Sequence, residues 1–184
     1  MKLSRQTLTY LAWAAAQVAV LGGIGWLAER QMSLGFTDRE GWRPFTWPFP
    51  ADRAPPGRAY SGDEHDVYVW MTQGSTGDCP DGIASDEALE RAIDVRILDP
   101  RFMPVGPGER VRVTDAFGRA RVYVHKRHNG ALRYGEAIAI PYNCDVLTAI
   151  VDGDARDPAK RRVAREFLES NTVQVGVLKA LEGR

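Results

Sequence analysis

The longest apolar stretch of the chain runs from Thr7 to Ala28, TLTYLAWAAAQVAVLGGIGWLA, without a charged residue. Lys2 and Arg5 precede it, and Glu29 and Arg30 close it. At about 1.5 Å of rise per residue, a helix of this length covers roughly the 30 Å hydrocarbon core of a bilayer. The pattern predicts a single transmembrane helix over residues 7–28 after a short cytoplasmic segment, residues 1–6. Cleavage as a signal peptide at Ala12-Trp13-Ala14 is the competing reading. It would leave an apolar region of about five residues, short of the roughly 7 to 15 that such peptides carry. Lys2 and Arg5 crowd against the amino terminus, whereas Glu29, Asp38 and Glu40 accompany Arg30, Arg39 and Arg43. The bias places the N-terminus in the cytoplasm and the rest of the chain outside an inner (plasma) membrane.

The span is not a plain leucine tether. Ala12 and Ala16 stand four residues apart, as do Ala15, Ala19 and Gly23, and Gly22 extends the small-residue surface. Such spacing lets helix backbones approach closely in lipid. Gln17 adds an amide near mid-span, where an unpartnered polar group is costly. Together these residues predict packing against a transmembrane helix of another membrane-complex subunit.

Beyond the span the periodicity changes. Residues 41–50, GWRPFTWPFP, interleave aromatics with prolines, and proline removes amide donors and bars helix at the preceding residue. Trp42, Phe45, Trp47 and Phe49 are expected at the membrane interface or against a partner, with packing on the chain's own domain as the alternative. Residues 29–66 read as a juxtamembrane linker and residues 67–184 as an extracytoplasmic domain. In that domain VYVWMT (67–72) alternates like a strand, and Ser85 caps a short helix. Residues 94–98 and 110–114 also read as strands. Asn129-Gly130 favours a two-residue type I′ hairpin joining 119–128 to 131–140. That register sets His125 opposite Tyr134 and Tyr123 opposite Glu136, gathering His125, Tyr123, Tyr134 and Glu136 on one face. A helix over 157–169, with Val163, Ala164, Phe167 and Leu168 inward, covers the sheet, and 173–181 continues as helix. The fold class is α+β: one N-terminal transmembrane helix, then a compact, mostly antiparallel sheet domain with covering helices.

Composition narrows the chemistry. Lys+Arg and Asp+Glu balance at 24 each, and the part beyond the anchor carries about minus two, so no basic patch points to nucleic acid. Two cysteines, Cys79 in a turn-rich stretch and Cys144 in PYNCD, suit one disulfide in an oxidising periplasm; two unrelated thiols are the duller reading. On the chain-entropy model a loop of this length contributes about 4 kcal/mol. His125 and His128 have HxxH spacing, yet on a strand a separation of three sends them to opposite faces, so no metal is expected. No GxSxG, HExxH or phosphate-cradling glycine loop occurs. Residues 101–113, RFMPVGPGERVRV, resemble the turn and strand of signal peptidases. A Ser/Lys protease needs a serine close after the membrane, however, and Arg101 and Phe102 occupy that region. No catalytic residue and no cofactor is expected. The sequence suits a non-catalytic, single-span accessory subunit or assembly factor; a periplasmic ligand-binding or sensing domain, its small-molecule ligand unknown, is the alternative, and an anchored hydrolase the third.

Overall fold

The computed structural model describes residues 13, 16–23, 37–72, 83–142 and 144–182, with side chains up to 176. It divides into two units, Met1–Phe36 and Thr37–Arg184. In the first, residues 16–23 are helical (α1).

The second unit is an eight-stranded antiparallel sheet with helices, an α+β fold. Its strands are β1 (Arg43–Phe45), β2 (Gly57–Ser61), β3 (His65–Thr72), β4 (Met103–Pro104), β5 (Glu109–Val113), β6 (Ala116–Lys126), β7 (Leu132–Tyr142) and β8 (Asp145–Gly153). The order is β1-β2-β3-β8-β7-β6-β4, with β5 also on β6. Two meanders, β1–β3 and β5–β8, are joined where β3 pairs with β8 from His65↔Gly153 to Thr72↔Val146. β7 lies centrally, and Gly135 to Ile140 are all buried, as a strand covered on both faces requires.

One face is covered by α3 (Pro158–Glu169) and α4 (Asn171–Glu182). Asp157 caps α3 by accepting from the Ala159 N–H, and Pro158 occupies the first turn, where its missing donor costs nothing. Ala164, Phe167 and Leu168 are fully buried against Val67, Val69, Ile138, Ile140, Leu147 and Val151. Val163, expected on the inner face, is half exposed. The opposite face carries α2 (Asp86–Ala92) and a 3-10 turn, Val95–Ile97, over Tyr68, Trp70, Tyr123, Ala137, Ala139 and Ile150. Ser85 caps α2, its hydroxyl oxygen accepting from the Ala88 N–H, as its sequence suggests.

Three sequence expectations are corrected. Residues 94–98 are not a strand: the Asp94 carboxylate accepts from the Arg96 N–H and starts the 3-10 turn. The 29–66 linker contains β1 and β2, with Trp42, Ala59 and Tyr60 buried, so the sheet begins well before Val67. The β6–β7 loop has three residues, not two. Arg127 N–H donates to Ala131 O at 2.8 Å, Gly130 N–H donates to Arg127 O at 2.9 Å, and Gly130 takes a φ of 82°. His125 therefore pairs with Arg133, and Tyr123 with Gly135. A one-residue slip moves a whole strand's side chains to the other face.

Candidate functional site

The slip dismantles the constellation expected from the sequence. Tyr123 packs in the layer under α2, and His125 meets the Phe102 ring edge-on at 4.7 Å in the same layer. Glu136 instead reaches α3, bonded to Arg165, and Tyr134 lies under the Arg156 guanidinium at 4.5 Å. His125 is buried and His128 exposed, and no cluster of metal-ligating side chains occurs among the described residues.

What the fold assembles is a cleft of ≈590 Å³ at one end of the sheet, where the β2–β3 turn, the start of β7 and the end of β8 converge. The volume is within the roughly 300–1,000 Å³ of small-molecule sites, but those are mostly apolar and this one is charged. Its walls include Asp63, Glu64, His65, Arg133, Asp152 and Arg156. Most of these charges answer one another. Arg133 grips Asp152 with two donors, Nε at 2.8 Å and Nη2 on the second oxygen. Arg156 reaches Asp154 at 3.3 Å, and Lys160 reaches Glu64 at 2.6 Å. His65 is buried with its Nε2 unbonded, and burial holds its pKa below the ordinary histidine value. Ser61 lines the same cleft without a hydrogen bond to that ring, so no base is bonded to a nucleophile there.

Two further networks brace the faces. Under α2, Arg101 holds the Asp99 carboxylate with side-chain bonds of 2.9 and 2.7 Å, which depress its pKa far below the carboxylate range. The His125 Nε2 lies 3.8 Å from the same carboxylate. Under α3, Glu136 has no exposed surface; Arg165 bonds one of its oxygens while also pairing with Glu109, and the other oxygen has no partner. Burial raises the Glu136 pKa against the opposing pull of Arg165. Tyr68 and Tyr123 are pushed up to about 12, chiefly by burial.

The expected site residues are dispersed. Trp42 is buried and stacks on Phe167 at 4.1 Å. Phe45, Trp47 and Phe49 are partly buried on the other layer, Trp47 meeting Trp70 at 5.9 Å and Phe49 meeting Tyr68 at 5.1 Å. All four rings thus pack on the domain itself, the alternative reading of that segment. Ala16, Gln17, Ala19, Gly22 and Gly23 are exposed on α1, while Ala12, Ala15 and most of the 7–28 span lie outside the described residues. No helix among the described residues is long and apolar enough to cross a membrane. Cys144 is exposed beside the β7–β8 turn and is not a free thiol; Cys79 lies outside the described residues.

Arg133–Asp152, Glu136–Arg165–Glu109 and the buried His65 escaped the sequence reading. Their partners lie 19 to 56 positions apart, so no local spacing announces them. No protein family model and no curated protein matches the chain.

Proposed function

We propose that the chain is a non-catalytic accessory or assembly subunit of an inner-membrane complex, anchored by its N-terminal helix with the sheet domain on the periplasmic side. The observation that carries this reading is the surface of α1. Val18, Val20 and Leu21 are 71%, 60% and 68% exposed, and Trp13 just before them is 68% exposed. A helix surface with this many exposed apolar side chains suits lipid or other helices better than water. Among the described residues a Cβ added at Gly22 or Gly23 would meet nothing within 4 Å, which leaves room there for a neighbouring helix. Most charges of the domain's cleft are bonded to one another, which suits a bracing or binding role better than acid–base work.

The test is copurification of the full-length chain in mild detergent against a variant with Ala19→Leu and Gly23→Leu. The expected outcome is a membrane complex retained by the parent chain and lost by the variant. Because a Cβ at Gly23 meets none of the described residues within 4 Å, a lost partner reads helix association rather than a clash with them. A parent chain that purifies alone from native membranes refutes the proposal.

The ≈590 Å³ cleft favours a second reading, an anchored ligand-binding or sensing domain. It predicts a small molecule that raises the melting temperature of the chain and an effect abolished by Arg133→Ala.

A further inference from the structure

We propose that the open edge of β5 is a docking strand for an extended acidic segment of a partner protein, which adds to the sheet beside Arg110 and Arg112. Among the described residues β5 pairs with β6 alone, so its outer side carries no strand. Val113↔Ala116 closes a two-residue hairpin, and Arg110 and Arg112 stand opposite Arg119 and Phe117. In such a hairpin the pair next to the loop is hydrogen-bonded and the pairs alternate, which turns the backbone groups of Arg110 and Arg112 toward the open edge. An extended peptide uses that kind of row when it adds a strand.

The side chains select the chemistry of the incoming strand. Val111 and Val113 point into the α3 core, which leaves Arg110 and Arg112 on the other face. There both guanidiniums flank the Phe117 ring, Arg110 at 4.1 Å and Arg112 at 5.9 Å, and the ring is 49% exposed. Arg119 and Arg121 on the same face are bonded to Asp86 and Glu90 of α2. No ion pair to a carboxylate occurs for Arg110 among the described residues; Arg112 donates its Nε to the Thr114 carbonyl at 2.8 Å, and its ion pair is with the fully exposed Asp115, a contact worth little in water. Charged residues alone are the usual protection of an edge against stray pairing. Phe117 is not: a half-exposed ring between two cations offers apolar area together with charge, the mixture that interfaces enrich.

The hairpin tip is also held in a sparsely populated conformation. Thr114, a β-branched residue, takes a φ of 53°, with its N–H donating to Glu169 Oε1 at 2.9 Å from the end of α3. α3 thereby fixes the tip beside the patch. Carboxylates at alternate positions of an added strand would meet Arg110 and Arg112, while the backbone supplies the register.

This inference names a partner chemistry for the accessory-subunit reading and rests on it. The edge lies outside α1, so its failure is separable from failure of helix association. The probe is a fluorescein-labelled peptide of alternating glutamate and valine, titrated by anisotropy against the full-length chain in non-ionic detergent. Controls are a lysine–valine peptide and the glutamate peptide N-methylated at alternate residues, which keeps its charge but cannot complete a ladder. The glutamate peptide is expected to bind, with affinity falling about tenfold or more on R110E/R112E, on Phe117→Ser and on N-methylation. The lysine peptide is expected not to bind. Equal binding of the N-methylated peptide overturns strand addition and needs no variant to fold. Absence of glutamate-peptide binding, or binding unchanged in R110E/R112E, overturns the proposal, as does binding to phosphatidylglycerol vesicles in place of the peptide.

Discussion

Glu136 sits in a bind that only its neighbours resolve. Its carboxylate has no exposed surface and one unbonded oxygen, and Arg165, its ion-pair partner, is shared with Glu109. Burial disfavours the charged form and raises its pKa above the ordinary 4.5, while the same arginine lowers that of Glu109. The two carboxylates pull stability in opposite directions. A raised folded-state pKa gives stability that is present below the unfolded value and lost as pH rises through the folded one; a depressed pKa gives stability lost as pH falls. Glu136→Gln removes the first effect and leaves Arg165 with Glu109. Relative to the parent, the variant is therefore expected to gain stability as pH is raised from about 4 to 8, measured by urea unfolding followed through tryptophan fluorescence. A stability difference that is flat with pH, or that moves the other way, would mean that Arg165 holds Glu136 ionised with no net cost. None of this was legible in the sequence. Glu136 was expected beside Tyr123 and His125, and only the three-residue loop sends it to α3.

At the scale of elements, legibility followed the strength of the local pattern. α3 announces itself through Asp157-Pro158 and through Ala164, Phe167 and Leu168, all on one buried face. Val163 shares the apolar composition but not the position, and stays half exposed. Composition therefore misjudges it where helical phase does not. The consequence is measurable. Phe167 stacks on Trp42 and meets Tyr60 edge-on at 5.0 Å, so Phe167→Ala is expected to cost about 3 to 5 kcal/mol. Val163→Ala is expected to change stability by less than about 0.5 kcal/mol. Chemical denaturation of both variants checks the pair, and equal losses would place Val163 in the core after all. The β6–β7 hairpin was less legible for a different reason. Asn-Gly marks a turn, yet a three-residue loop ending in a left-handed glycine satisfies the same dipeptide, and nothing local separates the two. Residues 94–98 read as a strand by composition, but the Asp94 side chain competes with the backbone ladder and wins.

At the scale of the whole molecule, the least legible feature was where the domain starts. Prolines and charges in 41–66 read as a linker because β1 and β2 are short and part of their burial comes from far along the chain: Trp42 and Tyr60 both pack on Phe167 of α3. Long-range pairing also bears on the two cysteines. The chain leaves β3 at Thr72, paired with Val146, and Cys144 lies two positions before that partner. A Cys79–Cys144 disulfide, as proposed from the sequence, would tie the chain that follows Thr72 to this end of the sheet and would place the domain in an oxidising compartment. Thiol alkylation of native membranes without reductant is expected to leave both cysteines unmodified, and reduction is expected to release both together. Removing the bridge with Cys144→Ser is expected to lower stability by up to about 4 kcal/mol, the loop-closure value for a ring of this size. Alkylation of both cysteines before reduction would remove the bridge and the topological argument with it, leaving the orientation to rest on the charges around the span alone.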